Sequence, residues 1–199
     1  MTISRFDHAS VVLGRRVYVL GGAQQDQDRV VTPLADVSSA PIGPDWNTGI
    51  WRSTTPLPFA AQDIAAAAGQ GRIYGVIPTP GQIRIFLAEE NPDGSLGAWS
   101  ETLGIADSRA GVSATVIGDF LYVLGGRQES STTVLIGRVD RPTGAVLSWN
   151  SDPANSFVGQ RATPAVIVRG NRLYISGGSG SGGQMADIDP TSGNFISWR

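Results

Sequence analysis

Asp119-Phe120-Leu121-Tyr122-Val123-Leu124-Gly125-Gly126 is a short apolar run of β-forming residues that ends in two glycines. The same string recurs as Arg16-Val17-Tyr18-Val19-Leu20-Gly21-Gly22 and as Arg172-Leu173-Tyr174-Ile175-Ser176-Gly177-Gly178. A worn copy stands at Arg72-Ile73-Tyr74-Gly75-Val76-Ile77-Pro78. The four tyrosines are 56, 48 and 52 residues apart. A second marker is Trp51, Trp99, Trp149 and Trp198, each of the first three followed by the next tyrosine after 23, 23 and 25 residues. Two markers that keep register through four copies define a repeat of about 50 residues. The repeats span about 1–54, 55–103, 104–153 and 154–199.

Each repeat reads as four strands. The first is small and β-branched: 9–13, 64–68, 112–117 and 165–168. Such near-continuous apolar runs predict strands buried on both faces. The alanines 65–68 have helical propensity, but their place in the register argues for strand. A tight Gly, Asn or Asp turn follows, and then the tyrosine strand. A third strand is expected at about 30–37, 82–87, 133–139 and 185–188. A polar turn then leads to the tryptophan strand, and in three copies a glycine lies five residues before the tryptophan (Gly94, Gly144, Gly193).

Composition sets bounds. The net charge is −2, which gives no electrostatic pull toward nucleic acid. There is no cysteine, so disulfides, thiolate metal sites and cysteine nucleophiles are excluded. Glycine is abundant at 26 residues and only 16% of residues are charged, which suits strands and tight turns. No stretch approaches the ~20 apolar residues of a membrane span. The N-terminus lacks an apolar core and is not read as a signal peptide. A soluble protein, cytoplasmic or part of an assembled particle, is the expectation.

The Gly-Gly pairs at 21–22, 125–126 and 177–178, with Tyr18, Tyr122 and Tyr174 four residues before the second glycine, resemble the kelch repeat. So do the four tryptophans in register. The resemblance covers the whole chain and implies a single all-β domain over 1–199. It implies a β-propeller of four four-stranded blades around a central channel. Copy two departs from the pattern, with Ile77-Pro78 in place of the glycines. Stacked blades bury faces that one twisted sheet leaves open. Four blades is a small ring. The chain also stops one residue past Trp198, so the last outer strand reads as clipped. Two forms stay open: a closed small ring, or an open arc completed by another chain.

Arg5, Arg109 and Arg161 each lie thirteen residues ahead of a tyrosine, and copy two has Ala61 there. They read either as guanidiniums that grip carboxylates or a glycan near the channel mouth, or as structural arginines bonded to backbone carbonyls. His8 is the only histidine, and one imidazole without cysteine makes no typical metal site. Gly178-Ser179-Gly180-Ser181-Gly182-Gly183 fits G-x-G-x-x-G, but a strand and turn follow where a dinucleotide site needs a helix. Asp26 and Asp28 lack the glycine and closing glutamate of a calcium loop. Copy one has the longest excursion, 23–46, and it ends at Trp46, an extra aromatic. It reads either as a binding residue, a better candidate than any repeated position, or as a side chain tucked over the blade edge.

These features predict a non-enzymatic binding module for a protein or glycan. Its tentative contacts are Trp46, Arg5, Arg109, Arg161, Arg127 and Gln128. A structural or adhesion part of a larger assembly, such as a phage tail or surface appendage, is the alternative, and another copy of the chain is a candidate partner. Some kelch-like proteins are enzymes. The oxidase type needs a cysteine-linked tyrosine and two histidines, which this chain lacks. Asp7, Glu89, Glu90 and Glu129 show no paired spacing for carboxylate catalysis. Neither catalytic residues nor a cofactor or metal is expected.

Overall fold

Each copy of the tyrosine run becomes the second strand of a four-stranded antiparallel sheet. The computed structural model describes residues 4–127, 132–180 and 182–199. The first sheet has the order β1 (Ala9–Leu13), β2 (Arg16–Leu20), β5 (Val37–Pro41) and β6 (Arg52–Thr54). A two-stranded hairpin, β3 (Ala23–Gln25) with β4 (Val31–Pro33), is inserted in it. The second sheet contains β7 (Ala65–Gly69), β8 (Arg72–Thr79), β9 (Gln82–Glu89) and β10 (Ser100–Ile105). The third is β11 (Ser113–Ile117), β12 (Phe120–Leu124), β13 (Leu135–Val139) and β14 (Val146–Asn150). The fourth is β15 (Ala165–Arg169), β16 (Arg172–Ser176), β17 (Gly183–Ile188) and β18 (Phe195–Trp198). A 3-10 turn at Pro153–Asn155 is capped by Asp152, whose side chain accepts from the Ala154 N–H.

Two sequence expectations are corrected. Repeat one's third strand is Val37–Pro41, not 30–37. Pro33 lacks a donor for the ladder, and Val30 and Val31 are exposed on the inserted hairpin. The small residues Val37 to Ala40 are all buried beside β2. The first strands are not buried on both faces. Val12 is 55% exposed and Ile167 66%. Each of these strands is a sheet edge, and only alternate residues meet a packed face.

The chain divides into two compact units, Met1–Ile77 with Ile85–Thr102 and Pro78–Arg84 with Leu103–Arg199. In the first, Tyr18 and Leu20 share one face of their sheet, and Val37 is paired with Leu20. They pack with Ile73 and Ile77, on the face of the second sheet away from Tyr74, and with Phe86. The second unit repeats the scheme. Phe120, Tyr122, Leu124 and Ile136 pack with Leu173, Ile175 and Ile188, on the side of the fourth sheet away from Tyr174. The rule within each unit is the same: the tyrosine face of one sheet is covered by the opposite face of the next. Burying each such aliphatic side chain contributes about 1.5–3 kcal/mol.

Candidate functional site

The contacts between successive repeats define what is structural and what is left over. Tyr18, Tyr74 and Tyr122 are fully buried. The Tyr18 hydroxyl, with one proton to donate, shares it between Glu90 Oε1 at 2.6 Å and the Gly94 carbonyl at 3.0 Å. At the equivalent place in the second unit, the Tyr122 hydroxyl donates to the Gly193 carbonyl at 2.8 Å. Burial is the main force that raises the pKa of both phenols, with the bond to Glu90 adding at Tyr18. The double glycines make a second bond of the same kind. Gly22 N donates to the Ala61 carbonyl and Gly126 N to the Arg161 carbonyl, both at 2.8 Å. Ala61 and Arg161 hold the same place in their repeats, thirteen residues before a tyrosine. Gly125 has φ +76°, and a Cβ on it would stand 2.4 Å from that Arg161 carbonyl oxygen. Only glycine fits there.

The repeated arginines serve the same scaffold. The Arg5 side chain is 0% exposed, donates to the Gly21 carbonyl at 2.8 Å and pairs with Asp36. Buried Arg161 donates to the carbonyls of Gly177 and Gly182 at 3.0 and 3.1 Å. Arg5 and Arg161 thus bond the first glycine of their own repeat's pair. Buried Arg109 is held by both oxygens of Asp107 and donates to the Thr133 carbonyl at 2.7 Å. These are contacts of the kind the structural alternative names, with each guanidinium on a backbone carbonyl.

Trp46 is different. It is 81% exposed and has φ +64°. It lies five residues before Trp51, the place of Gly94, Gly144 and Gly193 in the other repeats, all of which have positive φ. The turn is the same as at Asn91–Ser95. Trp46 N donates to the Gly43 carbonyl and Gly43 N to the Asn47 carbonyl, as Gly94 N donates to Asn91 and Asn91 N to Ser95. Asp45 stiffens it by accepting from Asn47 Nδ2 at 2.6 Å. The side-chain bond from Asn47, then its backbone N–H, hold the Asp45 carboxyl below its usual pKa. The sequence carried this signal in the five-residue glycine-to-tryptophan spacing, which falls on Trp46 in copy one.

The same hairpin borders a cavity of about 540 Å³ in the first unit. Pro41, Ile50 and Arg52 line it from the hairpin and its flanking strands, with Arg16, Ser39, Ser53 and Thr54, and Asp93 and Ser95 stand on the far side. Arg16 is already engaged, with Glu90 Oε1 at 4.0 Å and the Asp93 carbonyl at 3.4 Å. Arg52 is exposed, and among the described residues it has no recorded ion pair. Guanidiniums beside hydroxyls suit a polyhydroxylated or anionic group. This cavity was missed in the sequence because its lining comes from residues as far apart as Arg16 and Ser95.

No family model matches the chain, and no curated protein is significantly similar to it in sequence. The remaining candidates place as follows. Arg127 is exposed, and its side chain lies against Gly111. Gln128 and Glu129 lie outside the described residues. His8 is exposed at the base of the double glycine; partial burial, then the Arg5 charge, lower its pKa. Glu89 is paired with Arg72 at 2.6 Å and Glu90 is bonded to Tyr18. Asp26 closes the β3–β4 hairpin by accepting from the Val30 N–H at 2.8 Å. The strand β17 begins at Gly183, the last residue of the G-x-G-x-x-G string, so no helix N-terminus follows it.

Proposed function

We propose that the four sheets are the blades of a kelch-like β-propeller and that the chain is a non-enzymatic binding module with Trp46 as its anchor. The resemblance supports the first part, together with the recurrent tyrosine-to-turn and glycine-to-carbonyl bonds. The observation that carries the second is Trp46 itself. A bulky residue at positive φ costs about 1–2 kcal/mol, and the other repeats avoid that cost with glycine. An exposed indole adds no compensating burial. Strain of this kind collects at functional sites.

A glycan fits the surroundings best among ligands. The indole offers a flat apolar face for the carbon face of a sugar ring. The cavity on the same hairpin offers Arg52, Ser53 and Thr54 for hydroxyl or carboxylate groups. The test is a printed glycan array and a displayed peptide library, each probed with labelled wild-type chain and with Trp46→Gly. Loss of an aromatic anchor costs about 2 kcal/mol or more, roughly a 30-fold drop in affinity. Glycan binding that falls by this much in Trp46→Gly is the expected result. Binders that ignore the substitution would overturn the role of Trp46. Binding confined to peptides would move the ligand class to protein. The alternative, a part of a larger assembly, is favoured by the last sheet.

A further inference from the structure

The fourth sheet carries the same three devices that join successive repeats, and in it all three are unused. Tyr174 is only half buried, unlike the three fully buried tyrosines. Among the described residues of its unit its hydroxyl stands by Arg172 and reaches no turn carbonyl. Gly177 has nothing within 4 Å of a Cβ position, where Gly21 and Gly125 meet the following repeat's carbonyl. Among the described residues, Gly178 N makes no bond like those of Gly22 and Gly126. The row Ile167–Tyr174–Met185 runs across one face of the sheet and is open, with Ile167 66% exposed. The equivalent row in the third sheet, Thr115–Tyr122–Ile136, holds two buried residues.

We propose that this face docks the first sheet of a second copy of the chain, head to tail. The inference rests on reading the sheets as successive blades. The occupant follows from continuity with the two interfaces already formed, in which the covering surface is the side of the next sheet away from its tyrosine. In the first sheet that side carries Val12, which is 55% exposed and holds the place of Val168, a partly buried residue packed against the second unit's core. The second copy's Trp46 carbonyl takes the place of Gly94 and Gly193 as acceptor for Tyr174. Its Arg5 carbonyl takes the place of Ala61 and Arg161 as acceptor for Gly178 N. The Trp46 side chain requires Arg172 to swing aside, and Arg172 is a flexible side chain 41% exposed. Two such junctions, each joining one copy's fourth sheet to the other's first, make a closed dimer that leaves neither face of this kind open.

The test is light scattering on the full chain over a concentration series. The expected mass is about twice 20.9 kDa. Met185→Arg and, separately, Val12→Arg are expected to give monomers that keep the wild-type circular dichroism spectrum and melt at or below the wild-type temperature. If Met185→Arg does not fold, Ile167→Arg replaces it, since that side chain is already exposed. Mixing a Val12→Arg chain with a Met185→Arg chain leaves one sound junction and is expected to restore a dimer. Trp46→Gly keeps the acceptor carbonyl, so it is expected to remain dimeric while its glycan binding falls. A wild-type monomer at every concentration overturns the inference. So does a dimer indifferent to both arginine variants, or a mixture that stays monomeric.

Discussion

At the scale of single residues, the fold reuses one bond and one exception. The bond is the phenol of one repeat donating to the turn carbonyl of the next, at Tyr18 and Tyr122. Tyr122→Phe removes a buried hydrogen bond and leaves the Gly193 carbonyl without that donor, so a loss of about 1–2 kcal/mol is expected in urea unfolding. Tyr18→Phe also strips Glu90 of a partner, and its loss is expected to be at least as large. The exception is Trp46. Trp46→Gly relieves the positive φ, and the variant is expected to be about 1 kcal/mol more stable than wild type. Gain of stability with loss of binding is the signature of a residue kept for function. The sequence shows this exception once the glycine-to-tryptophan spacing is laid over copy one. It does not show that the arginines face inward, because an arginine thirteen residues before a tyrosine reads the same whether it meets a ligand or the Gly21 carbonyl.

At the scale of elements, the glycine pair fastens the tyrosine strands of repeats one and three to the repeats that follow them. Gly125→Ala meets two costs. A left-handed residue other than glycine costs about 1–2 kcal/mol, and a Cβ 2.4 Å from the Arg161 carbonyl forces a shift that typically costs about 1–3 kcal/mol. A total loss of about 2–4 kcal/mol is expected by thermal or urea melting. Gly177→Ala has the same backbone strain but open space within its own chain, so in the monomeric Met185→Arg background it is expected to cost clearly less. The contrast measures the neighbour and not the turn. Strand positions were legible wherever β-branched residues or a tight Gly turn bounded them, as at β1, β12 and β15. The third strand of repeat one was not, because Val37-Ser38-Ser39-Ala40 is too small and polar to announce a strand, while exposed Val30 and Val31 suggest one. Its pairing with β2 is decided by tertiary packing that a local pattern does not carry.

At the scale of the whole molecule, the buried phenols link stability to alkaline pH. Unfolded tyrosines lose their protons near pH 10. Burial raises the pKa of Tyr18, Tyr74 and Tyr122 in the fold. Above pH 10 the folded chain therefore binds more protons than the unfolded one. Stability is expected to be full below about pH 10 and to fall steadily as pH rises toward the folded values. Urea midpoints at about pH 8 and about pH 11 check this, and the drop should shrink in Tyr122→Phe. The all-β class was readable from two aromatic markers in register. The use of the last sheet was not, since Tyr174 sits in the same string as its three buried counterparts and only its surroundings differ.

The 43–47 turn has one more consequence. Of five tryptophans, Trp46 alone is exposed, and the other four are half buried. The chain thereby carries its own optical label. Acrylamide should quench the red edge of its emission first, and whatever settles on that hairpin should shield this one fluorophore while leaving the other four unchanged.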